Sequence, residues 1–207
     1  MENYIKCQLI KAELEIINLK LMSSEIRNEP ILIVVLIKSA IINLNNVKDL
    51  TKPTSYYRRY PFLKKQYKDL TGELEMFNYI RNKIAGHVDT DLIYKSMELN
   101  PQLKECIHYL KEKDVAYHYY ESMIETLFRT CVDNDGNHVY IFDSVDVVDI
   151  SSFLKALKDT VEKTIIYLND LSSAIYLDIE GELYGESQKD RLIRWENSLT
   201  PNLKRLK

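Results

Sequence analysis

Glycine and proline are scarce in this chain, five of each among 207 residues. So few glycines leave little room for tight hairpins, which argues against an all-β fold. The same scarcity excludes collagen-like and flexible-linker architectures. Cysteine is scarce too. Cys7, Cys106 and Cys131 are odd in number, widely spaced and form no C-x-x-C. A disulfide scaffold is therefore excluded, and a reducing, cytoplasmic setting fits. No long apolar run is present either. Residues 31–37 are the longest uninterrupted stretch, continuing past Lys38 and Ser39 to Leu44, whereas a membrane helix needs about 20 apolar residues. Met1-Glu2-Asn3-Tyr4 lacks the basic start of a signal peptide, so neither export nor a membrane partner is expected. Charge of one sign is also missing: 28 Lys plus Arg stand against 31 Asp plus Glu, a net −3. There is no phosphate-cradling glycine loop, no G-x-S-x-G and no H-E-x-x-H.

What is present is 45% hydrophobic residues and 15 tyrosines, enough for a packed interior and too much for a disordered chain. The pattern is helical. Ile5, Leu9, Ala12, Ile16 and Leu19 recur at spacings of 4, 3, 4 and 3, with Ile10, Leu14, Ile17 and Leu21 as a second stripe beside them. This predicts a helix over 2–23 with a broad apolar face. Pro30 suits a first helical turn, and residues 31–44 read as a buried helix. A loop with Pro53 leads into a helical region over 56–85, where Pro61 marks a kink or restart. Asp89 or Thr90 caps a short helix ending near Asn100-Pro101. Further helices are predicted over 101–113 and 114–130, then a turn at 133–136 and a short strand at 139–142. Ser151 caps a helix over 152–172, residues 175–185 read as acidic and irregular, and 188–207 form a basic tail. The expected architecture is a mainly α, antiparallel helical bundle forming a single domain. Its core covers about 1–130, and the extension over 131–207 holds at most a short strand pair.

The informative segment is 70–89. Leu70, Leu74, Phe77, Arg81, Ile84 and Val88 fall at spacings of 4, 3, 4, 3 and 4, the seam of a packed helix with an arginine in it. A guanidinium is always charged and needs anions or solvent nearby. Either Arg81 snorkels from the stripe edge or pairs with a carboxylate, or the seam opens into a cleft or dimer interface where Arg81 meets an anion. Gly86 precedes His87, and glycine commonly ends a helix in the left-handed conformation. A helix ending there would let His87 fold back toward Arg81, with Asn82 on the same rim.

Arg81-Asn82-Lys83-Ile84-Ala85-Gly86-His87 resembles the R-X(4–6)-H motif of HEPN domains, small helical bundles that usually dimerise. Many are metal-independent endoribonucleases of toxin–antitoxin, phage-defence and RNA-processing systems. The resemblance implies catalytic roles for Arg81 and His87, with Asn82 as the polar residue beside the arginine. It also implies RNA as substrate, a homodimer, an antitoxin or other protein partner, and no cofactor or metal. Some toxins of the family carry a tyrosine two residues after the histidine, which a partner nucleotidyltransferase modifies. Here that position is Asp89, so that regulation is not supported. The chemistry suits the residue types. Histidine is the usual general base or acid near neutral pH, and arginine clamps phosphate oxygens whose charge grows in the transition state. The alternative is a catalytically inactive module of the same shape that binds RNA or a protein.

Two other groupings stand out. Lys52, Arg58, Arg59, Lys64, Lys65 and Lys68 form a run without an acidic residue, interleaved with Tyr56, Tyr57, Tyr60, Phe62 and Tyr67. Cations beside aromatics suit single-stranded RNA, with Arg58, Arg59, Lys64 and Lys65 as the candidate contacts. The plainer reading is a solvated helix face with the tyrosines packed inward. Asp114, His118, Glu121 and Glu125 share one helix face, and Glu105, His108 and Glu112 share another. Carboxylate-bridged metal bundles need two E-x-x-H motifs plus two further glutamates. Only Glu105-Cys106-Ile107-His108 fits, so both stretches read as solvated polar faces.

Overall fold

The computed structural model describes residues 1–23, 26, 29–50, 54–86, 88–130 and 150–184. Among these residues the chain is helical and contains no strand. The helices are α1 (Glu2–Met22), α2 (Pro30–Leu50), α3 (Thr54–Arg59), α4 (Pro61–Ile80), α5 (Thr90–Leu99), α6 (Leu103–Tyr109), α7 (Glu112–Thr130) and α8 (Ile150–Tyr184). A π-helical turn, Arg81–Ala85, continues α4. The turn expected at 133–136, the strand expected at 139–142 and the basic tail lie outside the described residues.

Proline punctuates where expected. Pro30 opens α2, and Pro61 opens α4 after a break at Tyr60, because its missing N–H is no loss in a first turn. Helix α2 runs on to Leu50, six residues beyond the apolar stretch. By length and composition it is the one described helix that could cross a membrane. It nevertheless buries Ile37, Ala40, Ile41, Leu44, Val47 and Leu50 in the bundle and carries Lys38 and Lys48.

Helix α8 is the largest departure from expectation. It is 35 residues long and packs between α1 and α4. Contacts between Tyr4 and Tyr176, and between Lys11 and Asn169, run antiparallel along α1. Bonds from Gln66 to Asp170 and from Lys163 to Glu73 run antiparallel along α4. Phe153, Leu157, Val161, Tyr167, Leu168 and Leu171 lie in the same core as Leu14, Leu44 and Phe77. The core therefore reaches well past residue 130. The irregular segment expected over 175–185 is helical to Tyr184, because Ala174, Ile175 and Ile179 continue the buried face. Asp178 and Glu180 face outward, and Asp178 pairs with Arg59 of α3. Acidic composition on an exposed face does not interrupt a helix when the apolar period continues beneath it. Ser151 lies inside α8, which has already begun at Ile150.

Tyr57, Tyr67 and Tyr167 form an aromatic cluster where α3, α4 and α8 meet. Tyr57 and Tyr167 share a hydroxyl–hydroxyl bond of 2.9 Å, and burial pushes the Tyr167 phenol well above its ordinary range. Burial likewise pushes the Cys7 thiol up to about 11. It is a packed core residue and a poor nucleophile.

Candidate functional site at the end of helix α4

Leu70, Leu74, Phe77 and Ile80 are the buried face of α4, and Ile84 carries that face into the π turn. Arg81 is the neighbour of this seam, not a member of it. Its side chain is half-buried at the edge, and Val88 is exposed. The π turn begins at the arginine. The Gly86 N–H donates to the Arg81 carbonyl at 2.7 Å, a bond one residue longer than the α-helical one. Such widened turns are frequent at functional sites.

Gly86 follows the last residue of this turn, so the helical run does end there. Its backbone stays right-handed, with φ −76° and ψ −42°, instead of adopting the expected left-handed cap. Glycine is useful here for space. A Cβ at position 86 would lie 3.3 Å from the Arg81 carbonyl oxygen and 3.9 Å from Arg81 Nε. The arginine side chain therefore lies along Gly86, pointing down the chain. Its Nη1 donates to Asn82 Oδ1 at 3.1 Å, which brings Arg81 and Asn82 together as expected. Among the described residues Arg81 makes no ion pair, so its charge is not neutralised by a carboxylate. His87 lies outside the described residues.

The residues around His87 are tied down by Asp89. The Asp89 N–H donates to the Lys83 carbonyl at 3.1 Å. One carboxylate oxygen accepts from the amides of Asp91 and Leu92 and caps α5; the other accepts from Lys83 Nζ at 2.5 Å. Sequence spacing gave the cap, but the Lys83 partnership depends on how the turn folds back and was not visible beforehand. The Lys83 ammonium first, and the Leu92 amide next, hold the Asp89 carboxyl below its usual range. Lys83 in turn is raised. A depressed carboxyl stabilises the fold above its ordinary pKa, and that contribution is lost as pH falls through its folded value. Asp89→Ala is expected to destabilise the protein by about 1–2 kcal/mol at neutral pH, mostly through the lost cap. Urea melts of both proteins should converge as the medium is acidified through the carboxylate range, and a gap that stays constant would refute this account.

A cleft of about 330 Å³ opens beside this clamp, lined by Tyr79, Lys83, Asp89, Lys95, Leu127 and Thr130 among others. Lys83, not Arg81, lines it.

Arg58, Lys64 and Lys65 are exposed, which a binding patch and a solvated face would share. Arg59 is exposed too, but it bonds Asp178 and lies over the Tyr60 ring. The aromatic half of the expected pattern changes. Tyr57 and Tyr67 belong to the core cluster, and Tyr56 is drawn to Asp178, which leaves Phe62 as the openly exposed ring, 50% accessible. Lys65 and Arg81 are sixteen residues apart, so about 24 Å and roughly 160° around the helix separate them. The patch and the arginine share one arm but not one face.

The carboxylate and histidine stretches fall on α6 and α7. Cys106, His118, Glu121 and Glu125 line a polar cleft of about 400 Å³ with Asn100 and Gln102. His118 Nδ1 is 3.4 Å from Glu121. Among the described residues no three side chains of metal-ligand type converge. In comparisons with known proteins, no family model, curated protein or solved structure matches this chain.

Proposed function

We propose that this protein is a HEPN-like, metal-independent endoribonuclease of the toxin or phage-defence kind, with Arg81 and His87 as its catalytic pair. The observation that carries the reading is the state of Arg81. Its side chain is half-buried and, among the described residues, without an ion pair, at the start of a π turn, steadied by Asn82 and given room by Gly86. A structural arginine at a seam edge would be expected to hold a carboxylate; among the described residues this one holds none. In the proposed reaction the His87 imidazole takes the proton of the ribose 2′-hydroxyl. The 2′-oxygen attacks phosphorus, and Arg81 binds the oxygens that gain charge. The 5′-oxygen leaves with a proton supplied by a second acid, the imidazole of another copy if two motifs meet. The products are a 2′,3′-cyclic phosphate and a 5′-hydroxyl.

The second reading, an inactive module that binds RNA or a protein, draws on the separation of the basic patch from Arg81. Incubating purified protein with single-stranded RNA in EDTA separates the two. Cleavage with cyclic-phosphate ends supports the nuclease, and binding without cleavage supports the module. The patch has its own test. Arg58→Glu, Lys64→Glu and Lys65→Glu together are expected to weaken RNA association and flatten its salt dependence, since each lost phosphate contact releases about one fewer counterion. Arg59 is best left in place, because a glutamate there would face Asp178. Fluorescence anisotropy over a salt series gives the slope, and an unchanged slope would make the patch a solvated face.

A further inference from the structure

Helix α1 uses only one of its two apolar stripes in the core. Cys7, Ile10, Leu14 and Ile17 are buried. The other stripe faces outward: Ile5, Leu9, Ile16 and Leu19 are 50%, 59%, 60% and 73% exposed, with Ala12 exposed among them. These five residues repeat at 4, 3, 4 and 3, the spacing of a coiled-coil seam, over a helix about 31 Å long. Single exposed leucines need no explanation, but a continuous seam of large aliphatic residues does. Nothing among the described residues covers it.

We infer that this seam pairs α1 with α1 of a second copy of the chain, antiparallel, about an axis between residues 10 and 11. Four of the five stripe positions are self-complementary in that register, and Leu19 falls outside the overlap, opposite Glu2. Ile5 meets Ile16 of the second copy, and Leu9 meets Ala12, so large and small side chains interlock at the centre. A parallel pair would set Ala12 against Ala12 and leave a gap there. Charge selects the same register. Lys6, which pairs with Glu2 of its own helix at 2.6 Å in the single chain, and Glu13 flank the stripe on one side, and the antiparallel pairing brings each Lys6 near Glu13 of the other copy, twice over. Sliding one copy by a heptad would put Lys6 against Lys20 and Glu13 against Glu13. The inference does not rest on the nuclease reading. Helices α1 and α4 both run antiparallel to α8, and Phe77 meets Phe153 near the start of α8, so the π turn lies beyond the C-terminal end of α1. Pairing through α1 therefore holds the two π turns at opposite ends, and joining two motifs would take a separate contact.

Sedimentation of the full chain across the micromolar range tests the pairing. The wild type is expected to show a concentration-dependent dimer, Leu9→Glu to stay monomeric, and Glu13→Lys to dimerise at least tenfold more weakly. Lys6→Glu combined with Glu13→Lys should restore the dimer, a rescue that a merely structural role would not give. For orientation, mixed Ile5→Cys and Ile16→Cys proteins should crosslink to each other under mild oxidation, while Ile5→Cys alone should not. A monomeric wild type, or a dimer that persists in Leu9→Glu, would overturn the inference; the latter leaves a motif-joined pair standing. Crosslinking of Ile5→Cys to itself would overturn the antiparallel register. Loss of helical circular dichroism in Leu9→Glu and Glu13→Lys alike would show that the stripe packs within its own chain, and would overturn it too.

Discussion

His87→Ala is expected to abolish RNA cleavage, lowering the rate by about 10²–10⁴, while melting temperature and RNA affinity stay close to wild type. In the proposed reaction His87 carries a proton and is not asked to bind RNA. The backbone on either side has anchors of its own: Gly86 through its bond to the Arg81 carbonyl, Asp89 through its cap and its Lys83 pair. Arg81 needs a gentler probe. Arg81→Lys keeps the charge but loses the planar fork, so it should lower the rate while folding survives. Arg81→Ala would also remove side-chain packing from the edge of the seam. Gel assays with defined oligonucleotides in EDTA, run on several preparations, give the rates. If His87→Ala cleaves as fast as wild type, the activity belongs to another site or to a contaminant, and the assignment to Arg81 and His87 falls. The pH profile adds a second check, because imidazole titrates near neutrality. A cleavage rate that is flat from pH 5 to 8 would not fit a histidine carrying the proton.

Much of the fold was legible because its signals are local. Pro30 and Pro61 start helices where a missing N–H does no harm, and Asp89 caps α5 two residues after His87. Periodicity found both stripes of α1 but could not say which of them the core would take. That depends on where α8 lies, a contact over more than 150 residues of sequence, as the bond from Lys11 to Asn169 illustrates. The same distance explains the misjudged C-terminal region. Residues 175–184 look acidic and irregular alone, yet Ile175 and Ile179 reach the core and Tyr176 packs on Tyr4. At the candidate site, Arg81 and Asn82 were legible as neighbours. The seam assignment missed because steps of three and of four from Phe77 both stay on one helix face, and burial chose Ile80. Gly86 was read as a conformational device and works instead by its missing Cβ, which only a three-dimensional neighbour can reveal. The tyrosines between the basic residues pointed to RNA bases, but Tyr57 and Tyr67 pack against α8, where Tyr167 is fully buried and its hydroxyl bonds that of Tyr57.

Phe153→Ala is expected to destabilise the protein by about 3–5 kcal/mol, the usual range for removing a buried aromatic ring. Phe153 is fully buried near the start of α8, and its ring lies 6.2 Å from that of Phe77, also fully buried, on the last turns of α4. The alanine leaves a cavity between two long helices, and neither can close it without moving the rest of the bundle. Phe77 precedes the π turn by one helical turn, and the Arg81 N–H donates to the Phe77 and Asn78 carbonyls. Packing at 153 thus supports the platform that carries Arg81. Urea denaturation followed by circular dichroism measures the loss, and Phe77→Ala with the double substitution completes a thermodynamic cycle. Two residues sharing one cavity should couple, with the double variant losing less than the sum of the singles. A stability change under about 1 kcal/mol, the ordinary outcome away from a packed core, would mean that α8 is an appendage. The core would then close within residues 1–130 after all, and Arg81 would owe its placement to α2 and α4 alone.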